Sequence, residues 1–163
     1  MKRLIAVLLF LSIGASLLGC NLAELNRNKS IKFYYQAVSP SYQTSSSVLC
    51  SEVRDRTLYT DDDLALLNYY FKGPETEDCI SPFPSEVRAT KITVSHESVN
   101  IYMNERFSDI KGLKFTVACA CLAKTLMELY QRDRVKIFAA RSFSDGSLYI
   151  EITTDTLLLW DAI

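Results

Sequence analysis

The chain has 163 residues, of which 48% are hydrophobic, and a formal net charge of −1 at pH 7. Its 18 basic and 19 acidic residues are spread without a long run of one sign, which excludes the basic stripe that holds nucleic acid through counter-ion release. The five glycines form no phosphate-binding loop and no Gly-x-Ser-x-Gly elbow. We therefore expect no nucleic-acid partner and no enzyme built on these motifs.

The first nineteen residues predict an export signal. Two basic residues follow Met1, and residues 4–18 carry no charge, which is the order of a secretory n-region and h-region. This apolar run is shorter than the roughly 20 residues that a spanning helix needs. The signal ends in Leu17, Leu18, Gly19 and Cys20, and this ending resembles the bacterial lipobox. The resemblance implies cleavage before Cys20, lipid on its thiol, and a protein anchored on the extracytoplasmic face of a membrane.

Two acyl chains on Cys20 would form a stable anchor, because each buried methylene contributes about 0.8 kcal/mol and a single chain binds a membrane only reversibly. The alternative is an N-terminal transmembrane helix with an incidental Cys. Cleavage leaves 144 residues (163 less 19), with 16 basic and 19 acidic side chains and a charge of −3. Polar residues 21–30 predict a flexible tether from Cys20 to one domain at residues 31–163.

The first half of the mature chain predicts two strands and a helix. Residues 31–38 are rich in β-formers and residues 48–54 alternate in polarity, so both segments predict strands. A helix follows, with Thr60 as its N-cap and Gly73-Pro74 as its stop. Its apolar residues recur at helical spacing and predict packing on a sheet; they are Leu64, Leu67, Tyr70 and Phe71.

The second half predicts four strands and a second helix. Residues 87–94 and 99–103 predict a hairpin, and residues 113–130 a long, largely covered helix. Residues 135–140 and 148–152 predict a last hairpin around Asp145-Gly146, and residues 157–160 are expected to pack onto the core. The order of elements predicts an α+β fold, with two helices packed on one face of a mainly antiparallel sheet of about six strands.

Four cysteines besides Cys20 could form disulfides outside the cytoplasm, with three possible connectivities. Cys119 and Cys121 lie two apart on the second predicted helix and point to nearly opposite sides, so they should not bond to each other. A bridge between Cys50 and Cys79 is one possibility. The alternative is that some of the four are small, buried, apolar residues.

The chain also resembles the sporulation and spore germination (GerMN) domain of the GerM lipoprotein family, over roughly residues 31–152. The motifs that carry the resemblance are Phe33-Tyr34-Tyr35, the helix ending in Gly73-Pro74, the prolines at 82 and 84, the hairpin closing in Asn104-Glu105-Arg106-Phe107, the helix around Thr125-Leu126, Arg134-Val135-Lys136-Ile137, and the Asp145-Gly146 turn. The resemblance implies an extracytoplasmic, often lipid-anchored module without established catalysis. It also implies a sandwich similar to the ring-building modules of secretion and sporulation assemblies.

Few residues suggest chemistry. His96, the one His of the chain, falls in a predicted turn, where a polar turn residue is the simpler interpretation. A Cys nucleophile beside it is conceivable at Cys50 or Cys79, but no spacing places them together. Asp61, Asp62 and Asp63 could suggest Ca²⁺, yet acids at a helix start are explained by the helix dipole. We expect no metal, no cofactor and no catalytic residue.

Nine tyrosines suggest a ligand platform, because aromatic faces stack on sugar rings. Tyr34 and Tyr35 are neighbours on a strand, so one should face the core and the other should face outward. An outward Tyr34 or Tyr35 beside Tyr102 or Tyr149 would form a sheet-surface site. We expect a non-catalytic envelope module that binds protein partners or peptidoglycan. The alternatives are a cell-wall hydrolase accessory factor or enzyme, and a self-assembling ring subunit.

Overall fold

A computed structural model describes residues 30–38, 48–56, 62–143 and 146–161, with side chains up to residue 157. The predicted signal, Cys20 and most of the tether lie outside these residues. The elements are β1 Ser30–Ala37, β2 Leu49–Asp55, α1 Asp63–Tyr70, β3 Cys79–Ile80, β4 Ala89–Val94, β5 Val99–Met103, a 3-10 helix Glu105–Asp109, α2 Gly112–Tyr130, β6 Arg134–Phe138, β7 Tyr149–Thr153 and α3 Thr154–Asp161.

The strands form two sheets, so the expected single sheet of about six strands is wrong. A three-stranded sheet has the order β2-β1-β3 and is antiparallel throughout. A four-stranded sheet has the order β4-β5-β6-β7, and its central pair, β5 and β6, is parallel. The α+β class is confirmed. The sheets are separate because helix α2 packs against β1 on one side and against β5 and β6 on the other.

Helix α1 begins two residues later than Thr60 predicts. Asp62 is the N-cap, and its Oδ1 accepts hydrogen bonds from the amides of Leu64 at 2.9 Å and Ala65 at 3.4 Å, as expected of an acid at a helix start. The predicted stop is confirmed, since Gly73 has a φ of +107° that other residues rarely adopt. Leu66 and Leu67 are buried together with Tyr70 and Phe71, whereas Leu64 is half-buried.

Helix α2 is the centre of the core. Every residue from 117 to 123 is buried, so the helix is covered on all sides and not along one stripe. Strand β3 pairs with only the last two residues of β1. Beyond them, side chains of α1 and α2 bond to the backbone groups of β1 that have no strand partner. The Tyr34 amide donates to Thr125 Oγ1 at 3.0 Å, and the Tyr70 hydroxyl donates to the Tyr34 carbonyl at 2.7 Å. Helices thereby satisfy a strand edge that would otherwise hold unpaired polar groups.

The remaining predictions for the second half are largely confirmed. Hairpin β4–β5 turns at Ser95–Ser98, where the Ser95 amide donates to the Ser98 carbonyl at 2.9 Å. Strands β6 and β7 pair antiparallel, with Gly146 at a φ of +81° in their connection; Asp145 lies outside the described residues. Leu157 on α3 joins the core, as expected of residues 157–160, whose other side chains lie outside the described part.

Candidate binding surface

Tyr34 and Tyr35 do not form a surface platform, because both are buried, with 7% and 0% of their surface exposed. Strand β1 is covered on both faces, which the expected single sheet did not allow. The Tyr35 hydroxyl donates to the carbonyls of Tyr70 and Gly73. The Tyr34 hydroxyl donates to Glu128 Oε2 on α2 at 2.5 Å, and burial followed by this bond raises the Tyr34 pKa.

Tyr102 and Tyr149 do lie together, on the face of the four-stranded sheet that points away from α2. Tyr102 on β5 pairs with Phe138 on β6, and Phe138 pairs with Tyr149 on β7. Their ring centroids are 4.6 Å and 5.1 Å apart, respectively. We call these three residues the aromatic row, and this side of the sheet the outer face. Phe138 was missed from sequence, because only the parallel β5–β6 pairing places it between the two tyrosines.

Two rings of the aromatic row, those of Tyr102 and Phe138, stack face to face. The planes of Tyr102 and Phe138 are 15° apart at a centroid distance of 4.6 Å. Side-by-side coplanar rings cannot approach that closely, so the two rings overlap face to face, in the offset stack that aromatic pairs prefer. Between these two rings, the faces that would stack on a sugar are already occupied. The tyrosine hydroxyls and positively polarised ring edges are what this part of the row offers to a partner.

Two lysines flank the aromatic row. Lys91 on β4 pairs in register with Tyr102, and its Nζ lies 5.3 Å from the Tyr102 ring centroid. Lys136 on β6 places its Nζ 5.3 Å from the Tyr149 centroid and 3.5 Å from Glu151 Oε2. An ammonium at this distance is attracted by the negative ring face, by about 0.5–1 kcal/mol when exposed. The lysines and the rings therefore hold each other in place.

A second polar region lies at the end of the four-stranded sheet, between the β4–β5 turn, the α2–β6 connection and the start of α3. It contains His96, and Arg132 Nε donates to the Ser95 carbonyl there at 2.8 Å. The charged residues that line this region are of both signs and lie near one another. They are Glu97, Arg132, Asp133, Arg134 and Asp155. His96 therefore sits in a polar turn, as the simpler sequence interpretation predicts, and no Cys lines this region.

The strongest charge cluster is buried beside β1 and not on a surface. Glu52 and Arg54 on β2 form an ion pair, with side chains 5% and 4% exposed. Arg54 also donates to the Gly73 carbonyl at 2.8 Å, and Glu52 Oε2 accepts from the amides of Glu75 and Thr76. Burial raises the pKa of Glu52, but the bonds from Arg54 and these amides outweigh it and lower the pKa below its usual value. The cluster fixes the segment after α1.

Two cysteines are paired and two are free. Cys50 and Cys79 form a disulfide, with their Cα atoms 5.9 Å apart, so this sequence possibility is confirmed. The bridge joins β2 to β3 across the end of β1. Cys119 and Cys121 are buried thiols, and burial raises the pKa of Cys119 to about 12. Because the thiolate is the reactive form, neither thiol is poised for nucleophilic chemistry.

Within the described ranges, no three His, Cys, Asp or Glu residues cluster as metal ligands; Asp61 lies outside those ranges, and Asp62 serves as the N-cap of α1. No helix in the described part is long and apolar enough to cross a membrane.

Neither a search with protein-family profiles nor a search of curated proteins gives a match. Solved structures do match. The tandem GerMN domains of the sporulation protein GerM from Bacillus subtilis align over 76% of this chain and 45% of theirs, at 17% identity and a TM-score of 0.52. A candidate lipoprotein from Clostridium perfringens aligns over 77% of this chain and 87% of its own, at 10% identity and a TM-score of 0.44. The chain thus spans less than half the length of the GerM structure. It has the fold of a GerMN-type domain.

Proposed function

We propose that this protein is a lipid-anchored, extracytoplasmic binding module that holds a partner protein of the cell envelope without catalysing a reaction. The observation that carries the proposal is the outer face, where an aromatic row and two lysines lie uncovered on a GerMN-type fold. Tyrosine and phenylalanine are enriched at protein interfaces. Because the GerM protein is a sporulation protein, we place the role in sporulation, germination or the cell wall.

The cysteines support an address outside the cytoplasm. Disulfides persist in oxidising compartments and are rare where thiols are kept reduced, and Cys50 is bonded to Cys79. The lipobox-like ending at Cys20 then accounts for retention at the membrane. A tether of about ten residues has a reach of roughly 5–6 Å times the square root of that number, so the domain would stay within about 20 Å of the lipid.

A binding role fits the polar groups better than a catalytic one. Cys50 and Cys79 are consumed in the disulfide, while burial raises the pKa of Cys119 and Cys121. The buried pair Glu52–Arg54 is engaged by the segment after α1. Each of these groups therefore has a structural partner or environment that accounts for it.

A protein partner is favoured over a peptidoglycan strand by the ring geometry. Sugars stack on aromatic faces, but Tyr102 and Phe138 turn their faces toward each other. Lys91 lies over the Tyr102 ring as well. A protein can instead contact ring edges, hydroxyls and ammonium groups with carbonyls, carboxylates and apolar side chains.

The anchor is tested by replacing Cys20 with Ala in the full-length chain and separating membranes from soluble material. We expect the wild type in the membrane fraction with a lipid-modified N-terminus by mass spectrometry, and the Cys20→Ala variant unprocessed or mislocated. Cys119→Ala is the matched control, since it removes a buried thiol and should leave anchoring unchanged. An unmodified Cys20 in the wild type would contradict the proposal.

The partner class is tested by site-specific photo-crosslinking in the native envelope. A photoreactive residue at Thr93, which is exposed on the outer face of β4, should give a discrete adduct with one identifiable protein. The same residue at exposed Lys114 on α2 serves as the control. A muramidase-sensitive smear at Thr93 would indicate peptidoglycan instead, and absence of any adduct specific to Thr93 would contradict binding at this face.

A further inference from the structure

We infer that the outer face binds an extended, acidic segment of its partner, with carboxylates of that segment held by Lys91 and Lys136. This inference rests on the proposed binding function and names the chemistry of the bound surface. It follows from three observations: the sign of the charge on this face, the face-to-face stacking of Tyr102 and Phe138, and the separation of the two lysines.

The outer face is locally basic on an acidic protein. The outward positions of the four strands follow from the alternation with buried Val99, Ile101 and Ile137. The charged residues at these outward positions are three basic ones, Lys91, Arg134 and Lys136, and one acidic one, Glu151. The whole chain, in contrast, has a net charge of −1. A partner that complements this face carries negative charge.

Of these basic residues, Lys91 is the one most available to a partner. Arg134 lies 3.0 Å from Glu151, and Lys136 shares the same carboxylate at 3.5 Å. Within the described part of the chain, no carboxylate lies within salt-bridge distance of Lys91, whose ammonium is held over Tyr102. A carboxylate that binds Lys91 therefore adds a charge-assisted bond without breaking one that exists.

The aromatic row reinforces this preference. Ring edges are positively polarised and the tyrosine hydroxyls can donate hydrogen bonds. Tyr102 and Tyr149 place their hydroxyl-bearing rings on either side of Phe138. Carbonyl and carboxylate oxygens are the groups that such a surface attracts, and the ring carbons provide apolar contact between them.

The spacing of the lysines fits an extended chain. Lys91 and Lys136 are two strands and two residues apart in the sheet register, which corresponds to roughly 12 Å for strands about 4.8 Å apart with a rise of about 3.4 Å. Residues i and i+4 of an extended segment are separated by about 13 Å on the same side. Acidic residues at every second position of a bound segment can therefore reach both lysines.

The test uses the full-length protein in a neutral detergent and three fluorescein-labelled twelve-residue peptides, in which Leu alternates with Glu, Gln or Lys. Fluorescence anisotropy should show binding of the Glu peptide, with affinity falling as NaCl is raised because exposed charges are screened. The Gln and Lys peptides should bind at least about tenfold more weakly. A soluble disaccharide–tetrapeptide of peptidoglycan is the fourth probe.

Two variants assign the binding to the outer face. Lys91→Glu should weaken binding of the Glu peptide about tenfold or more. Lys114→Glu makes the same charge change at an exposed residue in the first turn of α2 and should have no effect. Tyr149→Ser should weaken binding, whereas Leu148→Ser, also at an exposed apolar residue just before β7, should not. Unchanged circular dichroism of all four variants shows that they fold.

Two results would overturn the inference. One is equal binding of the Glu peptide by the wild type and Lys91→Glu. The other is preference for the Gln peptide, the Lys peptide or the peptidoglycan fragment over the Glu peptide. Neither result would affect the anchor at Cys20 or a protein adduct at Thr93, so the proposed function can stand while this inference fails.

Discussion

The two sheets of this domain differ in how many of their faces are covered. In the three-stranded sheet, the consecutive residues Phe33, Tyr34 and Tyr35 of β1 are all buried. In the four-stranded sheet, β6 alternates, with Val135 and Ile137 buried and the residues between them facing outward. The two helices explain the difference. Tyr70 of α1 packs against Phe33 and Tyr35, α2 bonds to Tyr34 through Glu128, and α2 packs against β5 and β6 but leaves the outer face uncovered.

This difference suggests that the three-stranded sheet stabilises the fold and that the four-stranded sheet provides the binding surface. The three-stranded sheet holds the disulfide and the buried ion pair, and its strand edge is completed by side chains of both helices. Changes there should lower the free energy of unfolding. The four-stranded sheet keeps its charged pairs on the outer face, where solvent weakens them. Changes there should alter binding more than stability.

The largest effect is expected from the buried ion pair. Arg54→Met leaves Glu52 buried without its charged partner, so the free energy of unfolding should fall by about 3–5 kcal/mol. The matched control is Arg134→Met in the exposed Arg134–Glu151 pair, where Arg134 is 48% exposed and the loss should be at most about 1 kcal/mol. Urea unfolding measures both. Equal losses would remove the contrast between the sheets.

The disulfide between Cys50 and Cys79 should contribute somewhat less to stability than the buried ion pair. Cys50 and Cys79 are 29 residues apart in sequence, so removing the disulfide should cost about 2–4 kcal/mol. Cys50→Ser, Cys79→Ser and the double variant should lose similar amounts, because each abolishes the same bond. Thiol titration of the unfolded, unreduced protein should detect Cys119 and Cys121 but not Cys50 or Cys79. Strongly additive losses would argue that the cysteines act separately.

The buried pair also predicts a dependence on pH. The Glu52 pKa is lower in the folded state than its ordinary value of 4.5, so its stabilisation is fully present above that pH. It is lost as the pH falls through the lower, folded value, because protonation then removes the charge. Unfolding free energies of the wild type and Glu52→Gln should converge as the pH is lowered from 7 to 3. A constant difference would contradict this account.

Breaking the hydrogen bond between α2 and the edge of β1 should lower the stability by a smaller amount. Thr125→Val removes the hydroxyl that accepts the Tyr34 amide and leaves a buried donor unpaired, which should cost about 1–3 kcal/mol. Thr125→Ser keeps the hydroxyl and should recover most of that loss. Urea unfolding, with hydrogen exchange of the Tyr34 amide, distinguishes the lost bond from a packing change, since only the bond protects that amide directly.

Local signals in the sequence predicted the elements well. The hairpin strand predicted at residues 99–103 matches β5, Gly73 follows the end of α1 as expected, and the long helix predicted at residues 113–130 is α2. The N-cap was misplaced because Thr60 and Asp62 are both good caps, and hydrogen bonding from Leu64 and Ala65 favours Asp62. Such competition between neighbouring residues depends on packing, which spacing alone does not reveal.

The candidate surface was only half predictable. The sequence places an outward Tyr34 or Tyr35 beside Tyr102 or Tyr149, on the assumption of one sheet. Tyr34 and Tyr35 are buried instead, while Tyr102 and Tyr149 share one sheet face on either side of Phe138. Alternation predicts that successive strand residues face opposite sides, and it cannot reveal that a helix covers the second side. Phe138 was missed because a parallel pairing joins strands that are 31 residues or more apart in the chain, and no local pattern records that contact.

The smallest stability effects are expected from the aromatic row. A double-mutant cycle of Tyr102→Ala and Phe138→Ala should give a coupling free energy of about 0.5–1.5 kcal/mol, since the stacked pair is half-exposed. The buried Phe33–Tyr70 pair, with centroids 5.1 Å apart, provides the comparison: each of its single alanine variants should cost about 3–5 kcal/mol through the cavity left behind. If single changes in the row cost as much as changes at Phe33, the outer face would be part of the stabilising core, and its aromatic side chains would need no partner to explain them.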